Sequence, residues 1–144
     1  MEHKILVGEQ RVVTKRAHAL TRTSPAFTAY SLLYFAYIVA PIVAGLDKAF
    51  HFLVDWNIYV SPAFARVVGG NVSGLMHGVG FVEVCAGLLV AAKPRIGGLV
   101  VAFWMWGIIL NLLLIPGYYD IALRDFGLSM GALALSRLAA EFGR

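Results

Sequence analysis

The amino-acid sequence predicts an all-α integral membrane protein, a four-transmembrane-helix antiparallel bundle with both termini in the cytoplasm. Hydrophobic residues make up 60% of the 144-residue chain and charged residues 14%, whereas soluble domains average about 45–50% and about 25%. One small domain cannot hide so much apolar surface from water, so its outer surface must face lipid. The apolar residues also fall into four runs of about 20 residues, each long enough to cross a membrane.

Polar segments divide the chain into a tail and a membrane domain. Residues 1–24 are polar and basic, and we expect a cytoplasmic tail there. Residues 25–144 form the membrane domain, with spans expected at 27–52, 72–92, 96–115 and 118–138. Pro41 should kink the first span, because proline removes a backbone donor. Trp56 and Tyr59, in the connection after this span, suit the headgroup layer.

The distribution of basic residues sets the expected orientation. Most of the 12 Lys and Arg residues lie in the tail, in the turn that contains Lys93 and Arg95, and near the carboxyl terminus. The positive-inside rule places these segments, and therefore both termini, in the cytoplasm. This topology accounts for the net charge of +4, so we expect no nucleic-acid partner.

Small residues are the expected points of helix contact. Gly74 and Gly78 are four residues apart on the second span, and Gly127 and Gly131 on the fourth. Such pairs let helix backbones approach closely in a membrane. Cys85, the only cysteine, lies in an apolar run and is interpreted as a buried, inert filler.

The ionisable residues within the spans fall in the outer half of the membrane on this orientation. Such groups are costly at depth and usually face the bundle interior or a wet cavity with a partner. We therefore expect a polar cluster between the helices, closed toward the cytoplasm. Its predicted members are Asp47, Lys48, Glu83, Asn111, Arg124 and Asp125. One interpretation is that these groups neutralise one another and fix the helix register.

A bound ligand is the other interpretation of the cluster. A quinone head group or a lipid would contact His51, His77, Glu83 and Trp104, although Trp104 also suits packing or a lipid anchor. Asp47, His51 and Asp55 are four residues apart and would share one face of the first span. The similar depth of His51 and His77 also allows bis-histidine haem ligation, and proton or ion conduction is a further alternative. No catalytic residue and no metal site are predicted, since metal and phosphate motifs are missing from the sequence.

Three segments of the sequence form recognisable motifs. They are Gly45-Leu46-Asp47-Lys48 at the end of the first span, the run from Gly80 to Leu89 around Glu83, and the run from Tyr119 to Leu128. Together they resemble the DoxX family of small bacterial membrane proteins. The resemblance covers about residues 30–140 and implies a four-helix bundle in the bacterial inner membrane. Some members of that family are similar to a subunit of thiosulfate:quinone oxidoreductase, and others are linked to oxidative-stress complexes. The residues that match the family motifs are Lys48, Glu83, Arg124 and Asp125.

These observations lead to three expectations about function. The first is a small accessory or anchoring subunit of a respiratory or redox membrane complex, not catalytic on its own, with lipid and other subunits as partners. The second is the quinone-binding component of a DoxX-like oxidoreductase, in which His51 and Glu83 bind the head group and Arg124 keeps a carboxylate ionised. The third is a small transporter or channel. No cofactor of its own is expected, so a quinone or a partner subunit would carry any electrons.

Overall fold

A computed structural model describes residues 24–143 of the chain. Its helices are α1 (Pro25–Phe50), a 3-10 helix (Trp56–Tyr59), α2 (Pro62–Val67), α3 (Val72–Ala92), α4 (Pro94–Leu113) and α5 (Tyr119–Phe142). This part of the chain contains no strand, as predicted. The predicted basic tail lies outside the described residues except for Ser24.

Three helices, α1, α3 and α4, are long and apolar enough to cross a membrane. These are the helices expected for the first three spans. The fourth, α5, has 24 residues, but Asp120, Arg124 and Asp125 in its first two turns lower its hydropathy. The fold is therefore that of an all-helical protein with three candidate membrane-spanning helices.

Local sequence signals set the ends of α1. The Ser24 hydroxyl accepts the Phe27 backbone N–H at 3.1 Å, and Pro25 occupies the first turn, where its missing N–H is not needed. The helix continues through Pro41 and ends at Phe50, because His51 adopts a left-handed conformation with a φ of 56°. The predicted face shared by Asp47, His51 and Asp55 is therefore wrong, since the helix ends before His51.

The later helices lie close to the predicted spans. Helix α3 has the predicted bounds and is capped by the Asn71 side chain, which accepts the Gly74 N–H at 3.0 Å. Helix α4 begins two residues earlier than expected, at Pro94, which suits the first turn of a helix. Helix α5 extends to Phe142, beyond the predicted end at residue 138.

The long helices pack in the ring order α1, α3, α4, α5, and each contacts its two neighbours. On α3, Gly80 lies against Gly45 of α1, whereas Gly87 lies against Ile38. The residue numbers of the contacting positions increase along α3 while they decrease along α1, so the two helices run in opposite directions. The ring closes where the Phe142 ring of α5 meets the Phe27 ring of α1, with 5.6 Å between their centroids.

The core of the ring is small, and the outside is apolar. The main cluster of buried hydrophobic residues comprises Tyr37, Ala86, Val90, Val101, Ala102, Ala132 and Leu135. Large apolar side chains on the outside stay exposed, among them Leu32, Phe35, Phe81, Phe103 and Leu123. Such an extensive apolar exterior is typical of helices that face lipid rather than water.

Of the four glycines expected to make helix contacts, Gly131 does so, because a Cβ added there would meet the Tyr37 side chain of α1. A Cβ added at Gly78 or Gly127 would meet no heavy atom within 4 Å, so these residues do not make the predicted contacts. The other close approaches between helices are made at Gly45, Gly80, Gly87, Gly97 and Gly98, which the sequence did not single out. Small-xxx-small spacing alone does not reveal which face of a helix points inward. Cys85, expected to be buried, is exposed on α3.

Candidate functional site

A buried ion pair joins α1 to α3. Lys48 Nζ lies 2.6 Å from Glu83 Oε2, and the two side chains are 5% and 9% exposed. This separation is that of a contact ion pair. Two charges removed from water in this way stabilise a fold only if their geometry is good, and either charge alone is very unfavourable.

Helix geometry explains why these two residues meet. Each lies one turn after the glycine, Gly45 or Gly80, at which the two helix backbones touch. Side chains lean toward the amino terminus of their own helix, and α1 and α3 run in opposite directions. Lys48 and Glu83 therefore lean toward each other along the shared interface.

Trp56 completes the environment of the lysine. Its ring lies 3.6 Å from Lys48 Nζ, a cation–π contact. Its indole N–H donates to Asp47 Oδ2 at 2.6 Å. Trp56 thus touches two adjacent residues of α1 that carry opposite charges. The sequence predicted a headgroup anchor here and missed this role, because Trp56 lies in a connection whose path no helical periodicity fixes.

Asp47 organises the end of α1. Its Oδ1 accepts the backbone N–H groups of Phe52 and Leu53, each at 2.9 Å. With the Trp56 indole, the carboxylate has three donors, and it is buried at 5% exposure. A carboxylate with three N–H partners is stable as an anion. It fixes the path by which the chain leaves the helix and returns over Lys48.

Trp104 and Asp125 also interact with the ion pair, and they lie on the other two long helices. The Trp104 indole on α4 is close enough to Glu83 to interact with its carboxylate, but its buried N–H has no hydrogen bond of standard geometry among the described residues. Asp125 on α5 is 5% exposed and lies within electrostatic range of both Lys48 and Glu83. All four long helices therefore contribute to one polar cluster, made by Asp47, Lys48, Glu83, Trp104 and Asp125.

Arg124 belongs only to the edge of this cluster. Its Nε and Nη2 both lie 3.3 Å from Asp125 Oδ1, which is longer than the about 2.7–2.9 Å of a strong charge-assisted bond. Its side chain is 67% exposed. Neighbouring residues of a helix project about 100° apart, so Arg124 must fold back to reach Asp125.

Asn111 has a different role from the one predicted. Its Oδ1 accepts the Ser61 backbone N–H at 2.9 Å, and its Nδ2 donates to the Tyr59 carbonyl at 2.5 Å. The side chain therefore ties the connection between α1 and α3 to the end of α4. It satisfies backbone groups of that connection rather than joining the ion pair.

The two histidines expected to bind a ligand lie at the surface. His51 is exposed at the end of α1, and His77 is exposed with its Nδ1 2.7 Å from the Ser73 carbonyl on the same helix. Neither takes part in a described hydrogen bond or ion pair with Glu83. Among the described residues, no group of three or more His, Cys, Asp or Glu side chains is placed to hold a metal ion.

An apolar groove of 470 Å³ runs along the outside of α1 and ends at Trp56. Its lining residues are Phe35, Ala36, Val39, Ala40, Val43, Ala44, Leu53 and Trp56. Ala36, Ala40 and Ala44 recur at helical spacing among these residues. The tryptophan that covers Lys48 therefore also closes an apolar groove on the outer surface.

Comparisons with protein-family models, with curated proteins and with solved structures find no match for this chain. The three helices that are long and apolar enough to cross a membrane are consistent with a multi-pass helical membrane protein. Its candidate site rests on the contacts described above.

Proposed function

We propose that the chain is a small four-span membrane protein of the DoxX-like type, with both termini on the cytoplasmic side of the bacterial inner membrane. Support for a fourth span comes from α5, which accompanies α4 along its length. The Ser136 hydroxyl donates to the Arg95 carbonyl at 2.7 Å near one end. Ile109 and Leu112 of α4 share a buried cluster with Ala122 of α5 near the other. This packing of α5 along α4 supports the proposal of a fourth span.

Within that membrane, the protein serves as an accessory or anchoring subunit of a respiratory or redox complex. The observation that carries this proposal is the Lys48–Glu83 ion pair with its cover of Trp56. The central charged groups of the bundle pair with one another, and the outer surface of the helices is broad and apolar. Such a bundle is suited to binding another membrane subunit by its outer surface, where packing drives helix association.

Co-purification from native membranes tests this function. The protein at its native level is extracted in mild detergent, and both the proteins and the organic extract are identified by mass spectrometry. The expected result is a stable partner that carries flavin, haem or metal centres. Recovery of the protein alone, with the partner absent after chemical cross-linking as well, would refute the accessory role.

A quinone-binding component is the second candidate, and the α1 groove favours it. An apolar groove suits an isoprenoid chain, and Trp56 at its end offers an aromatic surface to a quinone ring. The candidate head-group contact is Trp56, since His51 and His77 do not join the cluster.

A groove-filling variant tests the quinone proposal. Val43→Trp places a large ring in the groove, whereas Leu32→Trp adds the same ring at another exposed position of α1 outside the groove lining. Quinone in the organic extract is expected to fall for Val43→Trp and to stay at the native level for Leu32→Trp. Equal quinone content in both variants and the native protein would contradict this site.

A further inference from the structure

Large apolar side chains are exposed where α1 ends. Phe50 is the last residue of α1, and Phe52 and Leu53 follow it; their exposures are 65%, 85% and 70%. The rings of Phe50 and Phe52 stack with 6.0 Å between their centroids. These three residues form an apolar patch. Exposed apolar patches mark surfaces that meet a partner or a membrane.

The chain turns back along α1 after the helix ends. The Leu53 backbone N–H donates to Asp47 Oδ1 at 2.9 Å, so Leu53 lies within side-chain reach of a residue in the last turn of the helix. Three extended residues beyond Phe50 would instead reach about 10 Å past the helix end. The left-handed conformation of His51, with a φ of 56°, permits this reversal.

The returning chain joins the outer surface of α1. Leu53 and Trp56 line the apolar groove together with Val43 and Ala44. Ala44 lies about 9 Å back along the helix axis from Phe50, at 1.5 Å for each residue. The apolar patch is therefore continuous with the exposed apolar face of α1, a helix long and apolar enough to cross a membrane.

Backbone groups of the returning chain find partners in side chains of α1 and α4. Asp47 of α1 accepts the N–H groups of Phe52 and Leu53, and Asn111 of α4 accepts the N–H of Ser61. Water satisfies such groups in an ordinary surface loop. In the hydrocarbon layer no water is available, so the protein itself must supply the partners. These bonds fit a connection that lies at the edge of the membrane rather than in water.

The polar residues that follow set the limit of the inserted segment. Asp55 is exposed, and its Oδ1 accepts the backbone and side-chain N–H groups of Asn57 at 3.1 and 2.9 Å. An exposed carboxylate is costly in the hydrocarbon layer, so Asp55 belongs in water or among head groups. The apolar patch and this carboxylate therefore face different surroundings.

We propose that Phe50, Phe52 and Leu53 insert into the leaflet in which α1 ends and contact lipid acyl chains. The bilayer is the partner of this patch because the patch continues the apolar face of α1. The inserted segment holds Trp56 in place over Lys48, so lipid contact supports the cover of the ion pair. The proposal rests on α1 crossing a membrane. It is independent of any partner subunit or quinone.

Spin-label accessibility of the full chain, with one copy in each lipid nanodisc, tests this proposal. In a Cys85→Ser background, a nitroxide is attached to a single cysteine that replaces Phe52, Leu53, Asp55 or Leu32 in separate variants. Leu32, an exposed position of α1, is the reference for lipid contact. Power saturation then measures collisions with oxygen, which concentrates among acyl chains, and with a nickel chelate, which stays in water.

The labels at residues 52 and 53 are expected to favour oxygen over the chelate, as the label at residue 32 does. Their ratio of oxygen to chelate collisions should be several-fold higher than that at residue 55. Frequent collisions with the chelate at residues 52 and 53 would place the patch in water and overturn the proposal. Few collisions with either reagent would mean that protein covers the patch, which would also overturn it.

A second measurement uses the native sequence, in case the labelled variants do not fold by circular dichroism. Phospholipids with a photoreactive group on the acyl chain are cross-linked to the native protein in nanodiscs, and the modified residues are identified by mass spectrometry. Lipid adducts are expected on the patch and around Leu32, but not on Asp55. Adducts around Leu32 without any on the patch would contradict the insertion.

Discussion

Gly45 and Gly80 bring the backbones of α1 and α3 into direct contact. A Cβ atom added to either glycine would lie 2.5 Å from the carbonyl oxygen of the other. Real Cβ atoms are not found so close to backbone oxygens, so any side chain here must push the helices apart. Because Lys48 and Glu83 lie one turn away on each helix, the same contact sets the distance across the ion pair.

Gly80→Ala adds only one methyl group, but it is expected to destabilise the protein strongly. Overpacking of a tight contact costs about 1–3 kcal/mol, and separation of α1 from α3 also stretches the Lys48–Glu83 pair. Thermal unfolding in detergent, followed by circular dichroism, should show a clearly lower Tm.

Gly78→Ala is the matched control for that experiment. It lies on the same helix two residues earlier, and its new Cβ atom would meet nothing within 4 Å. Alanine is the better helix former by about 1 kcal/mol in water, so the Tm should stay unchanged or rise slightly. Equal losses in the two variants would mean that the Gly45–Gly80 contact does not limit the helix packing.

The ion pair should behave as a coupled unit. Lys48→Met is expected to lower the free energy of unfolding by about 3 kcal/mol, the low end for loss of one partner of a buried pair. The loss stays at the low end because the remaining carboxyl groups can take up a proton. Adding Glu83→Gln to Lys48→Met should recover much of this loss, since no unpaired charge then remains at that position.

A double-mutant cycle in reversible denaturant unfolding measures this coupling. Each of the variants Lys48→Met, Glu83→Gln and the double variant is compared with the native protein. Strictly additive losses would show that the two side chains act independently, against their 2.6 Å separation. Arg137→Met, which replaces an exposed cation on α5, serves as a control and should change stability little.

Trp56→Phe separates the two contacts of the tryptophan. A phenylalanine ring can still cover Lys48 Nζ, but it offers no N–H to Asp47, so the connection after α1 should loosen while the ion pair survives. Trp56→Leu removes both contacts and should lower the Tm further. Trp106→Phe, at an exposed tryptophan on α4, is the matched control. Identical Tm values for the Phe and Leu variants at residue 56 would argue against the cation–π contact.

Much of the fold was predictable because apolar runs and their breaks are local signals. Pro94 after Lys93 and the polar Asn71 mark helix ends in the sequence, and α3 has the predicted bounds. The end of α1 was less predictable. It depends on the left-handed conformation of His51 and on a carboxylate, Asp47, that captures the following N–H groups.

The candidate site was predictable in its residue types but not in its partners. Charges within apolar runs identified Lys48 and Glu83 as residues that need partners. Which partner each finds depends on the crossing of α1 and α3 at glycines, and on a connection that folds Trp56 back over the lysine. The expected depth of a residue in the membrane does not determine which way its side chain faces. His77 was expected at the same level as His51, but its side chain is exposed.

Asn111→Leu should release the connection between α1 and α3 from α4. It deletes the acceptor of the Ser61 N–H and the donor to the Tyr59 carbonyl, and each lost hydrogen bond is worth about 1 kcal/mol. Limited proteolysis is expected to cut the variant faster between residues 51 and 71. Leu113→Ala, an exposed position on the same helix, is the control. An unchanged cleavage rate in Asn111→Leu would show that other contacts hold the connection.

The proposed four-span topology makes a prediction that distinguishes it from three spans. In a Cys85→Ser background, single cysteines replace Asn57, Arg95 and Glu141 in separate variants, and intact spheroplasts are treated with a membrane-impermeant maleimide. With four spans, only the cysteine at residue 57 reacts before lysis, because residues 95 and 141 lie at the cytoplasmic side. If α5 lies on the outer surface instead of crossing, the cysteine at residue 141 reacts as well. Labelling at residue 95 but not at residue 57 would reverse the whole orientation.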